Sequence, residues 1–476
     1  MRNLLFYSII AMLLLAGCQA DAKKNAIEAV EPSIDVVESD GTLSEMIQSA
    51  NILQSKMALT FNGLADEQTM LKLLEQLDKY SIKATFFLEG MRVAQEPELV
   101  KNIIERGHEV QSGTLSFVDM TTLNYEQTYK DLFLTNQIFE QHLGFKPRYV
   151  RSRSGDSTEN MQAVASMLGM SAVVESSINP QDRNMQSAEE IAAYIERFAN
   201  SGAVIHLNTY INPAVIDAIP LLAQSLEGKG YTLTTLADVV KEQYTVKPLE
   251  EIEGYDALQF NLDYENVEPF IYYRKNTTKK EVVLTFDDWA SEERTKEVLS
   301  VLRQYNIKST FFLIGKRAEE NPHIAKLILD EGHEIASHSY NHANVTKMSP
   351  EELQEDLIKA HQALTYALQQ SPLLYFRPAQ GEMDERTAKI IAATGVKVIA
   401  LYDIASFDWN LDYTAQDIYK RVMDRMAPGK IIVMHVLDGT QTVEALPLII
   451  EQLQQQGYSF NKLSTWIEQD IDEKVD

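Results

Sequence analysis

Val282-Val283-Leu284-Thr285-Phe286-Asp287-Asp288 is an apolar run that ends in two carboxylates, and the chain carries the run a second time as Met57-Ala58-Leu59-Thr60-Phe61-Asn62-Gly63. Working outward, Ser81-Ile82-Lys83-Ala84-Thr85-Phe86-Phe87-Leu88 returns as Asn306-Ile307-Lys308-Ser309-Thr310-Phe311-Phe312-Leu313, and Gly107-His108-Glu109-Val110 as Gly332-His333-Glu334-Ile335. Gly169, Gly202 and Gly230 answer to Gly395, Gly429 and Gly457, so the offset drifts only from 225 to 227. A period this long is not that of a solenoid. It describes two domains of one fold in tandem, expected at 55–245 and 280–470. Residues 246–279 between them are rich in Glu and Tyr without a clear period and read as a linker, with Tyr255, Tyr264, Tyr272 and Tyr273 available to pack on a neighbour.

Within each copy, short apolar runs alternate with amphipathic stretches. Val282 to Phe286 has the pattern of a buried strand, and Thr295 to Tyr305 places Val298, Leu299, Leu302 and Tyr305 at helical spacing. Ser309 to Ile314 is strand-like, His323 to Leu329 helical, and Glu334 to Ala336 a short strand. Ser349 followed by Glu352 predicts a capped helix over Pro350 to Leu368. This βαβα order predicts an α/β fold on a parallel sheet, closed as a barrel or open. In either form, ligands collect at the C-terminal ends of the strands.

The repeat also acts as an internal control. Polar groups shared by both copies serve the fold, whereas those in one copy alone are candidates for chemistry. Asp287 and Asp288 face Asn62 and Gly63; His338 and His342 face Gly113 and Phe117; His435, after the strand-like Ile431 to Met434, faces Asn208. All five lie near expected strand ends. By the same test His333, repeated as His108, is structural. Arg377 and Asp408 have counterparts in Arg151 and Asp182, while Trp409 faces Arg183.

The 476 residues carry a formal charge of −26, which argues against nucleic acid as a partner, since phosphate backbones are bound by Lys and Arg stripes. Cys18 is the sole cysteine, so no intrachain disulfide forms. It follows Arg2 and an apolar run, Leu4 to Leu15, that is too short to span a bilayer of roughly 30 Å. This is the pattern of a signal peptide. Leu15-Ala16-Gly17-Cys18 resembles a bacterial lipoprotein lipobox, which implies a signal peptide at 1–17, acylation of Cys18, a membrane anchor and an extracytoplasmic location. Residues 18–54, polar and acidic, are expected to form a tether.

His-x-x-x-His at 338 and 342 can set two imidazoles on one side of a helical turn or tight loop, and one carboxylate would complete a three-ligand site with open positions. A divalent cation there lowers the pKa of a water and polarises a carbonyl. Adjacent carboxylates then suit a division of labour, one on the metal and one taking a proton, although such a pair also serves as a turn or helix cap.

Thr285-Phe286-Asp287-Asp288, His338-Ser339-Tyr340-Asn341-His342, Arg377-Pro378-Ala379-Gln380-Gly381, Asp408-Trp409 and Val433-Met434-His435 resemble the five ordered motifs of the NodB-type polysaccharide deacetylases, carbohydrate esterase family 4. The likeness covers the whole second copy, and the first resembles the same domain with its chemistry erased. It implies two tandem distorted (β/α) barrels and metal-dependent removal of N-acetyl groups from an extracytoplasmic polysaccharide: peptidoglycan, poly-N-acetylglucosamine or chitin-like oligomers. Asp288, His338 and His342 would hold the metal, usually zinc (Zn2+). Asp287 would be general base and His435 general acid, oriented by Arg377 and Asp408. A backbone N–H near Gln380 would share the oxyanion with the metal, and Trp409 would wall the pocket. Trp289 stands where the family often has Gly; it would stack on a sugar ring or pack on the core. Ala379, Gln380 and Ala405 also depart from the family pattern, and with Trp289 they place substrate preference in question. The competing expectation is a non-catalytic glycan-binding lipoprotein; a transporter's solute-binding lipoprotein would leave the cluster unexplained.

Overall fold

The computed structural model describes residues 34–475, so the signal-peptide and Cys18 expectations lie outside the described residues. Among the described residues no helix is long and apolar enough to cross a membrane. The strands of the first half are β1 (Glu45–Ile47), β2 (Lys56–Asn62), β3 (Thr85–Leu88), β4 (Glu109–Ser112), β5 (Tyr149–Val150), β6 (Ala172–Val174), β7 (Val204–Asn208) and β8 (Thr232–Thr234). Those of the second half are β9 (Ile271–Tyr272), β10 (Glu281–Asp288), β11 (Thr310–Leu313), β12 (Glu334–Ser337), β13 (Tyr375–Phe376), β14 (Val398–Ala400), β15 (Ile404–Ala405), β16 (Lys430–Val436) and β17 (Ser459–Asn461).

Two separate parallel sheets result. Their orders are β1-β6-β5-β4-β3-β2-β7, with β8 beside β2, and β9-β14-β13-β12-β11-β10-β16-β15, with β17 beside β10. Single antiparallel bridges, Ser49 to Ala203 and Arg274 to Lys430, join the two sides of each curled sheet. The fold is therefore α/β, two tandem distorted (β/α) barrels, and the closed form of the parallel sheet is the one adopted.

Burial on both faces explains the continuous apolar runs. On β10, Val282, Leu284 and Phe286 face outward into the helix-covered core. Val283 faces the barrel interior with Phe312, Ala336 and Ile431, above Trp466 of the C-terminal helix Leu463–Val475. The helix over Pro350–Leu368 forms as expected, with a complete capping box between Ser349 and Glu352. His333 accepts the Ser309 N–H at Nδ1 (3.1 Å) and His108 accepts the Ala84 N–H (3.2 Å), the same structural duty in both copies.

The sequence reading did not find β1, which lies in the segment read as tether, or β9, which lies in the segment read as linker. Each is only two or three residues long, below the length at which alternation is visible. β9 is tied to β14 by Ile399 N–H to Phe270 O (2.9 Å) and Leu401 N–H to Tyr272 O (2.8 Å).

Residues from Ser39 onward form one compact unit. The barrels meet where the N-terminal ends of β2, β7 and β8 touch the start of the helix Glu292–Gln304 that follows β10. The Ser201 N–H and hydroxyl both donate to the Glu292 carboxylate at 2.6 Å. His323 Nε2 lies 3.0 Å from the same carboxylate, and Lys296 pairs with it. Lys229 reaches Glu293 at 2.9 Å, and Lys296 donates to Ser55 Oγ at 2.7 Å. Burial alone would raise the Glu292 carboxyl, but the hydrogen bond and charge of His323 and the charge of Lys296 outweigh it and hold the group far below its usual range.

Candidate active and metal site

Alternation along β10 sends Thr285 and Asp287 into the barrel behind Val283. One guanidinium nitrogen of Arg377 bridges both, donating to Thr285 Oγ1 at 2.8 Å and to Asp287 Oδ1 at 2.6 Å. The remaining donors reach Ala400 O (3.0 Å) and Leu401 O (3.2 Å) at the end of β14, and the guanidinium lies 3.9 Å from the Phe312 ring centre. Arg377 is fully buried, so it is fixed by the barrel and in turn fixes Asp287.

Asp288 would point outward by alternation. Its φ of +76° turns it back instead. Its Oδ1 lies 3.1 Å from His342 Nε2 and 3.6 Å from His338 Nε2. The histidines sit on a tight loop, not a helix, with Ser339 at φ +69° and His342 at φ +55°. Asp356 on the helix Pro350–Leu368 holds this loop, accepting the Tyr340 N–H (2.7 Å) and Asn341 N–H (3.1 Å). Backbone conformations of this kind are uncommon for side-chain-bearing residues and gather at functional sites.

The donor atoms of Asp288, His338 and His342 lie within 4.8 Å of one another. Asp288 Oδ1 is buried with no hydrogen-bond partner. His338 Nδ1 lies 2.8 Å from Arg377 O, which requires the proton on Nδ1 and leaves the Nε2 lone pair facing the carboxylate. Burial lowers the His338 pKa, which favours the neutral ring that a metal needs. Two imidazoles and an unsatisfied carboxylate oxygen fit a divalent cation with further positions open.

His435, next to last in β16, lies directly beside Asp287 in the strand register. Its Nδ1 lies 2.7 Å from Asp408 Oδ1, and its N–H donates to Asp408 Oδ2 at 2.8 Å. Ser406 and Thr442 hydroxyls, both at 2.7 Å, complete the shell of the fully buried Asp408. Burial presses the His435 pKa down, but the hydrogen bond and charge of Asp408, with the charges of Asp287 and Asp288, raise it to about 9.

The structure thus gathers Asp287, Asp288, His338, His342, Arg377, Asp408 and His435 at one end of the second barrel. Trp289 is half-buried and packs against the outer core. Trp409 is 50% exposed, its ring 5.6 Å from that of Phe407. Gln380 is exposed at φ +62° in the turn after β13. Sequence reasoning missed Thr285, Ser406, Thr442 and Asp356. Asp356 is repeated as Asp131, which holds the Leu115 N–H at 2.9 Å, so the comparison of copies counts it as scaffold.

In the first barrel, Arg151 bonds Thr60 at 2.5 Å but faces Asn62 in place of a carboxylate. Burial without an acidic partner lowers its pKa to about 9. Asn208 donates to Asp182 at 2.6 Å where the second barrel pairs His435 with Asp408. The loop strain persists, with Thr114 at φ +65° and Phe117 at φ +55°, so it belongs to the scaffold.

The sequence profile of the polysaccharide deacetylase family matches residues 51–173 and 274–399. A Bacillus cereus peptidoglycan-N-acetylglucosamine deacetylase is 35% identical over 185 residues, 38% of this chain and 66% of that relative. A second protein of that description and species is 32% identical over 203 residues, 41% of this chain and 92% of that one. A crystal structure of a peptidoglycan N-acetylglucosamine deacetylase shares 33% identity at a TM-score of 0.40, covering 42% of this chain and 92% of its own.

Proposed function

This chain belongs to the polysaccharide deacetylase family, and from that premise we propose that its second barrel hydrolyses N-acetyl groups on an extracytoplasmic glycan, peptidoglycan first among the candidates. The observation that carries the proposal is the pairing of two proton carriers, Asp287 with Arg377 and His435 with Asp408, on neighbouring strands next to the Asp288, His338 and His342 cluster.

A zinc ion held by Asp288, His338 and His342 would supply Lewis-acid polarisation of the amide carbonyl and a more acidic water. Asp287, oriented by the Arg377 guanidinium at 2.6 Å, takes the proton from the attacking water. The new C–O bond makes a tetrahedral adduct, whose oxyanion is met by a backbone N–H near Gln380. His435, whose Nδ1–H is held by Asp408 and whose raised pKa keeps a second proton on Nε2, delivers that Nε2 proton to the nitrogen. The C–N bond breaks, leaving acetate and a free amine on the sugar. Trp409, half exposed beside this end of the barrel, would wall the sugar.

Acetate release from a panel of N-acetylated glycans, with and without chelator, tests this. Asp287→Asn is expected to lower turnover by roughly 10²- to 10⁴-fold, the range of a lost general base. His338→Ala is expected to lower zinc affinity as well. Undiminished release in both variants defeats the proposal. Anchoring through Cys18 would place the enzyme beside the cell wall, and labelled palmitate should enter the wild type and not Cys18→Ala.

A further inference from the structure

The comparison that located the second barrel's chemistry can be run in reverse, asking which polar or aromatic groups only the first barrel has. Glu89 stands where the second copy has Ile314, Arg153 where it has Ala379, and Tyr210 where it has Leu437. These are scattered over three strand ends in sequence. In space all three line one cavity of about 360 Å³ at the C-terminal end of the first barrel, with Phe117, Arg92 and Asp66.

The floor of this cavity is built to exclude a metal. A Cβ at Gly63, the counterpart of Asp288, would lie 2.8 Å from Tyr210 Cδ1 and 3.1 Å from Phe117 Cε2. One at Gly113, the counterpart of His338, would lie 2.7 Å from Phe117 Cε1. The two rings occupy the ligand niche, and the two glycines make room for them. Phe117 is buried at 7%, while Tyr210 stays 45% exposed and offers an aromatic face. Around it stand a carboxylate, Glu89, which accepts the Leu64 N–H at 3.3 Å, and Arg153, whose guanidinium makes no ion pair or side-chain hydrogen bond among the described residues. Val118 and Ile211 beside the rings are exposed as well.

We propose that the end of the first barrel is a second glycan site, in which a pyranose ring of an N-acetylated glycan lies on Tyr210 and its hydroxyls meet Glu89 and Arg153. An open aromatic face edged by a carboxylate and a guanidinium suits a ring with one apolar face and a polar rim. The choice of glycan rests on the deacetylase reading above; the cavity does not. The domain contact at Ser201 and Tyr231 lies at the opposite, N-terminal ends of the strands, so this end stays clear of it.

Full-length protein should be titrated calorimetrically with N-acetylated chito-oligosaccharides and co-sedimented with purified peptidoglycan. Tyr210→Ala is expected to weaken co-sedimentation by roughly three- to tenfold, the scale of one aromatic contact. Arg153→Ala should weaken it in the same direction, and Tyr210→Phe, which keeps the ring, should leave it unchanged. Acetate release from short soluble oligomers should stay at the wild-type level in all three. Wild-type binding by Tyr210→Ala, or equal loss in Tyr210→Phe, overturns the proposal. Binding that depends on Tyr210 without any acetate release would instead sink the deacetylase reading and leave this one standing.

Discussion

At the scale of single residues, the second barrel tunes similar groups to different ends by what surrounds them. His338 gives its Nδ1 proton to a backbone carbonyl and is driven neutral by burial; His435 gives its own to a carboxylate and is held protonated. With a folded pKa raised to about 9, His435 is in its acid form at neutral pH and loses its proton as pH rises through that value. Deacetylation is therefore expected to fall on the alkaline side. Asp408→Asn removes the bond and charge that raise the pKa, so the alkaline limb of kcat/KM should move to lower pH, with a lower plateau. An unmoved limb would mean that another group controls it. Five of the seven site residues were legible because the first copy lacks them; Arg377 and Asp408, repeated as Arg151 and Asp182, were named only through the family motifs. Thr285 was not legible, since Thr60 repeats it and the comparison counts it as scaffold.

At the scale of elements, the helix Glu292–Gln304 joins site and domain contact. Its first residue lies four positions after Asp288 and is only 2% exposed, with Ser201, His323 and Lys296 around its carboxylate. Removing one partner of a buried charge cluster costs about 3–5 kcal/mol. Glu292→Ala should lower unfolding stability by that order in urea. The carboxyl's folded pKa lies below its ordinary 4.5, so its contribution is full above that value and is lost as pH falls below it. Acidification from about pH 4.5 should then destabilise the wild type more than the variant. Parallel curves would remove Glu292 from this role. The long capped helix and the apolar strands were readable from periodicity. The two shortest closing strands were not, because pairing partners and not their own pattern define them.

For the whole molecule, domain boundaries are set by hydrogen bonds. β9 precedes the repeat that the sequence marks, yet it covers the β14 edge, and β14 with Leu401 after it supplies the two carbonyls that hold Arg377. Tyr272 also ties it to the C-terminal helix, donating to Asp470 at 2.8 Å. A second barrel beginning at residue 246 is expected to fold with more ordered amide protection than one beginning at 280, which leaves β14 unpaired. Equal hydrogen exchange at Ile399 and Leu401 would refute this. The rings of Tyr210 and Phe117 have a further consequence for the history of the chain. Restoring aspartate at position 63 while they remain would collide with them, and removing them first would leave an empty niche with nothing gained. An aspartate regained at position 63 would therefore need both rings to move as well, so the first barrel's chemistry returns only through coordinated changes at several positions.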